Sequence, residues 1–141
     1  MVSYGASPEM MAALWLADTI LLSAGGHHKV LLRSDGSAIA CGRNVYNQCD
    51  IPPLNDEGIA YTQVSAGELQ TALLRSDGSA VACGRNDDHG VCHGRCNMPP
   101  LDGGISYVQV AAGERCTVLL RSDGGCCCLR KEHAWAVQHS I

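Results

Sequence analysis

The sequence predicts an all-β chain built from a repeated hairpin, and three observations carry that prediction. Leu31–Asn44 reads LLRSDGSAIACGRN, and Leu73–Asn86 repeats it almost unchanged as LLRSDGSAVACGRN. A third copy opens at Leu119 with LLRSDG. In each copy Asp-Gly stands between two short apolar runs, the strongest short-range hairpin signal, and Asp and Gly tolerate the positive φ of a two-residue type I′ turn. The flanks repeat too. Ser23-Ala24-Gly25, Ser65-Ala66-Gly67 and Ala111-Ala112-Gly113 precede the three hairpins. Ile51-Pro52-Pro53-Leu54 and Met98-Pro99-Pro100-Leu101 follow the first two, and then come Tyr61-Thr62-Gln63-Val64 and Tyr107-Val108-Gln109-Val110. Leu31 to Leu73 is 42 positions and Leu73 to Leu119 is 46. A period of roughly 40–50 residues made of short strands points to a propeller blade, or to another array whose units stack to bury a core.

In chain order, residues 1–19 precede the repeat. Ser7 before Pro8 and Glu9 has the chemistry of a helix start, and Met10, Met11, Leu14 and Trp15 supply an apolar face, so a short helix is expected there. Residues 20–64 form repeat one, 65–110 repeat two and 111–124 a partial repeat three. Strands are expected at 20–24, 28–33 and 37–42, then at 59–65, 71–75 and 79–84, then at 107–112 and 117–121. Gly25 and Gly67 suit sharp bends between strands. Pro52-Pro53 excludes regular ladder pairing from the loop at 44–54. After Gly124 the expected S-A-V-A-C-G-R-N is replaced by GCCCLRK, so 125–141 reads as an irregular tail.

The order A-G, strand, R-S-D-G-S, A-C-G-R-N and Q-C resembles the regulator-of-chromosome-condensation repeat, from about Leu22 to Gly124. Ala24, Gly25 and His28 meet that family's A-G-x-x-H, with Gln70 and Cys116 at the His position of the later copies. Thr71 and Thr117 match its next residue, whereas Lys29 does not. Cys41 and Cys83 stand where the family has an aromatic residue. The resemblance implies a β-propeller, usually of seven blades. The expectation is therefore an all-β, incomplete β-propeller, two blades plus part of a third, with a short N-terminal helix, as a fragment of a larger propeller. No Trp-Asp pair occurs, which sets aside WD-type repeats.

Charge and thiols narrow the partners. The formal charge is −4 and no basic run occurs, so neither nucleic acid nor an anionic membrane is an expected partner. No apolar run approaches the length of a membrane span. There is no Phe, so the core must come from aliphatic residues and Cys. Nine cysteines without a secretory signal suggest free thiols in a reducing compartment, the cytoplasm or alternatively the nucleus.

Two sets of side chains invite a chemical reading. The loop between repeats two and three is enlarged by five residues and holds His89, Cys92, His93 and Cys96, close enough to ligate one metal. Their spacing matches no standard zinc module, so neither metal nor cofactor is expected. Arg33, Arg75 and Arg121 stand beside Asp35, Asp77 and Asp123, while Arg43 and Arg85 follow the second strand of each hairpin. These five arginines are the candidate partner-binding residues, since Arg is favoured in interfaces. There is no nucleophile motif, phosphate loop or H-E-x-x-H, and no catalytic residue is assigned; an enzyme is not expected. The expected function is a protein-interaction module that binds another protein, or itself, through open blade edges. The resemblance implies two alternatives: a guanine-nucleotide exchange regulator of a small GTPase, or the substrate-binding propeller piece of a ubiquitin ligase.

Overall fold

The computed structural model describes residues 19–85, 87–88, 91–92, 98–99, 101–129 and 136–139. All regular structure among them is β. The first blade is β1 (Thr19–Ala24), β2 (His28–Arg33) and β3 (Ala38–Gly42), an antiparallel sheet in chain order. The second is β4 (Tyr61–Ala66), β5 (Gln70–Arg75) and β6 (Ala80–Gly84). A two-stranded ladder, β7 (Asp87–Asp88) with β8 (Val91–Cys92), lies in the enlarged loop. The third blade is β9 (Tyr107–Ala112), β10 (Thr117–Arg121), β11 (Gly125–Leu129) and β12 (Ala136–His139), with β12 paired outside β11. The expected N-terminal helix falls outside the described residues.

The hairpins form where the repeated run places them, but the turn is not type I′. Among the described residues Asn47 is the one non-glycine with positive φ, so Asp35, Asp77 and Asp123 keep ordinary backbone. Gly36, Gly78 and Gly124 alone take the left-handed region at these turns, with φ of 85°, 86° and 86°. The Gly36 N–H donates to the Arg33 carbonyl at 3.0 Å and the Arg33 N–H to the Ser37 carbonyl at 2.9 Å. That is a three-residue loop ending in a glycine bulge. Its cause is local: the Asp35 carboxylate accepts the Ser37 N–H at 2.9 Å and the Ser37 hydroxyl at 2.6 Å. Asp77 and Ser79 repeat both bonds. A carboxylate folded forward over its own turn holds the first two loop residues in right-handed backbone.

Residues 125–141 are not an irregular tail throughout. Gly125–Leu129 is the third strand of blade three, with Leu120 opposite Cys126 just as Leu74 is opposite Ala80. The letters differ from the repeat, but the physics does not. Gly125, Cys127 and Leu129 are buried and alternate with Cys126 and Cys128, and a thiol packs there as a small hydrophobe.

Blades stack face to face. Leu32 of blade one packs with Tyr61 and Leu73 of blade two. Ala72, Leu74 and Ala80 of blade two pack with Val110, Leu119, Cys127 and Leu129 of blade three. Each junction is also bonded through backbone. Tyr61 N–H donates to Gly36 O and Tyr107 N–H to Gly78 O, both at 2.8 Å. Ala66 N–H donates to the Ser23 hydroxyl and Ala112 N–H to that of Ser65, both at 2.9 Å. Tyr61 and Tyr107 further donate their phenol groups to the carbonyls of Pro52 and Pro99, tying each proline loop to the next blade.

Candidate functional site

The strand directions divide the five arginines into two groups. Arg33, Arg75 and Arg121 close the middle strands at the turn end of their blades. Arg43 and Arg85 follow β3 and β6, which return antiparallel to the other end, so the structure does not gather all five. There the Arg43 and Arg85 N–H groups donate to His27 O and Leu69 O at 2.9 Å. The Arg85 guanidinium lies 4.6 Å from the Tyr46 ring centre, and its Nη1 is 3.4 Å from the Tyr46 hydroxyl. Arg85 therefore helps hold blade two against the preceding loop.

At the turn end the same unit recurs. Arg33 Nη2 is 4.0 Å from Asp35 Oδ2, and Arg121 hydrogen-bonds Asp123 directly. The arginine side chains are mostly sunk, 24% and 21% exposed, beside Asp side chains that are 61% and 36% exposed. The Nε atoms of Arg33, Arg75 and Arg121 are buried without a hydrogen-bond partner. Arg75 borders a cleft of about 60 Å³ with Pro53, Leu54, Asp56 and Ile59. Arg121 borders an equivalent cleft of about 120 Å³ with Pro99, Leu101, Asp102 and Tyr107. The Ser37 and Ser79 hydroxyls, then their N–H groups, hold the Asp35 and Asp77 carboxyls below the usual range. For Asp123 the Gly125 N–H contributes most, followed by the neighbouring Arg121. The turn end therefore carries fixed Arg⁺ and Asp⁻ groups at neutral pH.

The opposite end holds a polar network built on residues outside the five arginines. His28, 5% exposed, meets the Thr71 hydroxyl through Nε2 at 2.7 Å, and Thr71 Oγ1 lies 2.7 Å from the Gln48 carbonyl. A carbonyl can only accept, so Thr71 donates to Gln48 and accepts from a His28 protonated at Nε2. Gln70, at the same repeat position as His28, donates through Nε2 to the carbonyls of Gly113 at 2.9 Å and Cys116 at 3.1 Å. Both bonds cross from one blade to the next. A polar residue recurring at the start of an otherwise apolar strand was the available signal.

Burial, with His27 second, lowers the His28 pKa from 6.5. The folded chain thus binds this proton less readily than the unfolded one. Its contribution to stability is present above about pH 6.5 and is lost as pH falls through the lowered folded value. His28→Gln, which copies Gln70, is expected to keep neutral-pH stability while flattening the decline as pH falls below about 6.5. Urea midpoints of both proteins across that range measure it; parallel curves would remove His28 as the cause.

Glycine backbones of the three S/A-A-G segments, with Glu68 and Glu114, line a shallow hollow of about 450 Å³ at this end. The seven cysteines whose side chains are described form no disulfide. Burial, then Cys41 and Asp50, pushes the Cys49 thiol up to about 11, so it packs as a neutral thiol. Among the described residues no three metal-ligating side chains gather. His89, Cys92, His93 and Cys96 lie outside the residues whose side chains are described. No described helix is long and apolar enough to cross a membrane.

No protein-family model and no curated protein matches the chain. Solved structures do. Prp20p of Saccharomyces cerevisiae superposes with a TM-score of 0.64 at 20% identity, covering 79% of this chain and 30% of Prp20p. Human WBSCR16 superposes at 0.63 and 21% identity, covering 78% of this chain and 33% of that one. The ectodomain of the Arabidopsis thaliana receptor kinase ACR4 follows at 0.59 and 19%, covering 81% and 40%. At these identities the likeness is one of fold. The described sheets share the β-propeller fold of these structures as an incomplete array of blades, and the chain spans about a third of the length of these structures.

Proposed function

We propose that this chain is a protein-interaction module whose turn end recognises a partner protein. The observation behind this reading is the recurring unit itself: a largely sunk Arg, an ionised Asp and a small cleft, at the same place on blades two and three. Clefts of about 60 and 120 Å³ fall below the few hundred Å³ of small-molecule pockets, whereas side chains of a protein surface fit them. Packing already restrains each guanidinium stem, which lowers the ordering cost of binding, and the planar fork suits carboxylates. Two similar structures add support: Prp20p was studied for its binding to Gsp1p and histones, and yeast RCC1 is seen bound to Kap60. Cysteines packed without disulfides suit a cytoplasmic setting.

The test compares wild type with an Arg33→Gln, Arg75→Gln, Arg121→Gln variant in quantitative affinity capture, with unfolding midpoints as the folding control. A folded variant that loses a defined partner supports the reading. A folded variant that captures the same proteins at the same levels rejects it. Nucleotide exchange on a small GTPase is a second reading, favoured by the likeness to Prp20p. Release of a labelled nucleotide from purified small GTPases tests it separately, and unchanged release in every case would exclude it.

A further inference from the structure

We propose that two copies of this chain associate head to tail, blade three of one docking on blade one of the other through the junction that already joins the blades within the chain. This goes beyond the partner reading and rests on the fold alone. Each internal junction pairs a forward face with a rear face. On the forward face, Leu32 is 1% exposed and Leu74 is 5%. Leu120 holds the same position on blade three and is 37% exposed. On the rear face, Val110 is 7% exposed, whereas its counterpart Leu22 on blade one is 64% exposed. The two ends of the array thus present complementary halves of one apolar interface.

Polar positions on the forward face of blade three agree. Gln63 reaches across to blade three, its Nε2 donating to Val108 O at 2.9 Å and its Oε1 accepting from Val110 N–H at 3.3 Å. Gln109 occupies that position in blade three and is exposed. A following blade one would offer it Ile20 O and Leu22 N–H, the counterparts of Val108 and Val110. Gly113 gives an independent sign. A Cβ at Gly25 or Gly67 would meet the next blade's carbonyl at 1.9 or 2.4 Å, so glycine is required there. A Cβ at Gly113 would meet only its own Cys116, at 3.5 Å, yet the position is still glycine. Blade one of a second copy docked there would impose the requirement seen at Gly25 and Gly67.

The junction between copies differs in two places. Ala111 replaces Ser23 and Ser65, so a hydroxyl acceptor is lost, and Cys116 and Lys29 would stand where His28 meets Thr71. Backbone pairing, the Gln109 bonds and apolar burial remain while the serine and histidine bonds are lost, so the association is reversible and concentration-dependent. A head-to-tail interface is heterologous and closes a ring where its rotation permits. Two copies supply six blades, within the known range of about four to eight.

Analytical ultracentrifugation of the full chain across a dilution series tests this with Leu22→Glu and Leu120→Glu. Both residues are exposed, so each monomer should keep the wild-type far-UV spectrum and thermal midpoint at low concentration. Wild type is expected to associate and each variant alone to stay monomeric. An equimolar mixture should recover dimer, because it restores one intact pairing of Leu120 with Leu22. A wild type that stays monomeric throughout overturns the proposal. So does a Leu120→Glu protein that still self-associates, since that would mean blade one pairs with itself or another surface is used.

Discussion

Alanine at Gly25 is expected to destabilise the chain by roughly 3 kcal/mol, the upper range for forcing extra atoms into a packed site. Its Cβ would lie 1.9 Å from the Gly67 carbonyl oxygen, a contact no rotamer can relieve because the Cβ position is fixed by the Gly25 backbone and its partner is a backbone atom. The φ of Gly25 is not in the left-handed region, so the effect comes from crowding alone. To make room, blades one and two must separate where Gly26 N–H donates to Gly67 O at 3.2 Å and Ala66 N–H to the Ser23 hydroxyl at 2.9 Å. Gly113→Ala is the matched control, since its Cβ meets nothing nearer than 3.5 Å, and a change below about 0.5 kcal/mol is expected. Urea unfolding at a concentration that keeps the chain monomeric compares the two. Equal losses would mean that blades one and two do not approach this closely.

Residues next to one another in sequence made the hairpins legible. Asp-Gly between Leu-Leu-Arg and a small apolar run fixes a reversal, and the 42- and 46-residue spacing fixes stacked units. The turn type was not legible from Asp-Gly, because type I′ and the three-residue loop both want glycine late in the turn. The Ser37 bond to Asp35 decides between them. The third outer strand was missed because identity with the repeat ends at Gly124. The alternation of Gly125, Cys127 and Leu129 carried it instead, once Cys is read as apolar.

The candidate site was legible in composition but not in placement. Arg33 and Arg43 look alike in sequence, yet one stands where β2 ends and the other where β3 ends, and antiparallel pairing sends those ends apart. The bonds from His28 to Thr71 and from Gln70 to Gly113 each span 43 residues. Only the docking of one blade on the next creates them. The first copy's His and the second copy's Gln solve one geometric problem with different chemistry, and the His solution alone brings sensitivity to acid.

The junction at the turn end has its own glycine test. Gly78→Val is expected to destabilise by roughly 3 kcal/mol or more, from two additive causes. The first is backbone strain: φ is +86°, and a β-branched residue in the left-handed region costs on the order of 1–3 kcal/mol. The second is crowding, because a Cβ there would lie 2.5 Å from the Ser106 Cβ of the segment entering blade three. That segment is held on both sides. Tyr107 N–H donates to Gly78 O at 2.8 Å, while Ser122 N–H donates to Ser106 O at 2.8 Å and Ser106 N–H to the Ser122 hydroxyl at 3.0 Å. Pushing Ser106 away strains all three bonds and loosens blade three from blade two. Gly58→Val separates the causes, since Gly58 has φ +80° and nothing within 4 Å of its Cβ position. That variant should lose only the strain part, about 1–2 kcal/mol. Unfolding midpoints give the sizes, and amide exchange at Tyr107 gives the place: faster in Gly78→Val, unchanged in Gly58→Val. Equal losses with unchanged exchange at Tyr107 would show that the turn of one blade does not bear on the next.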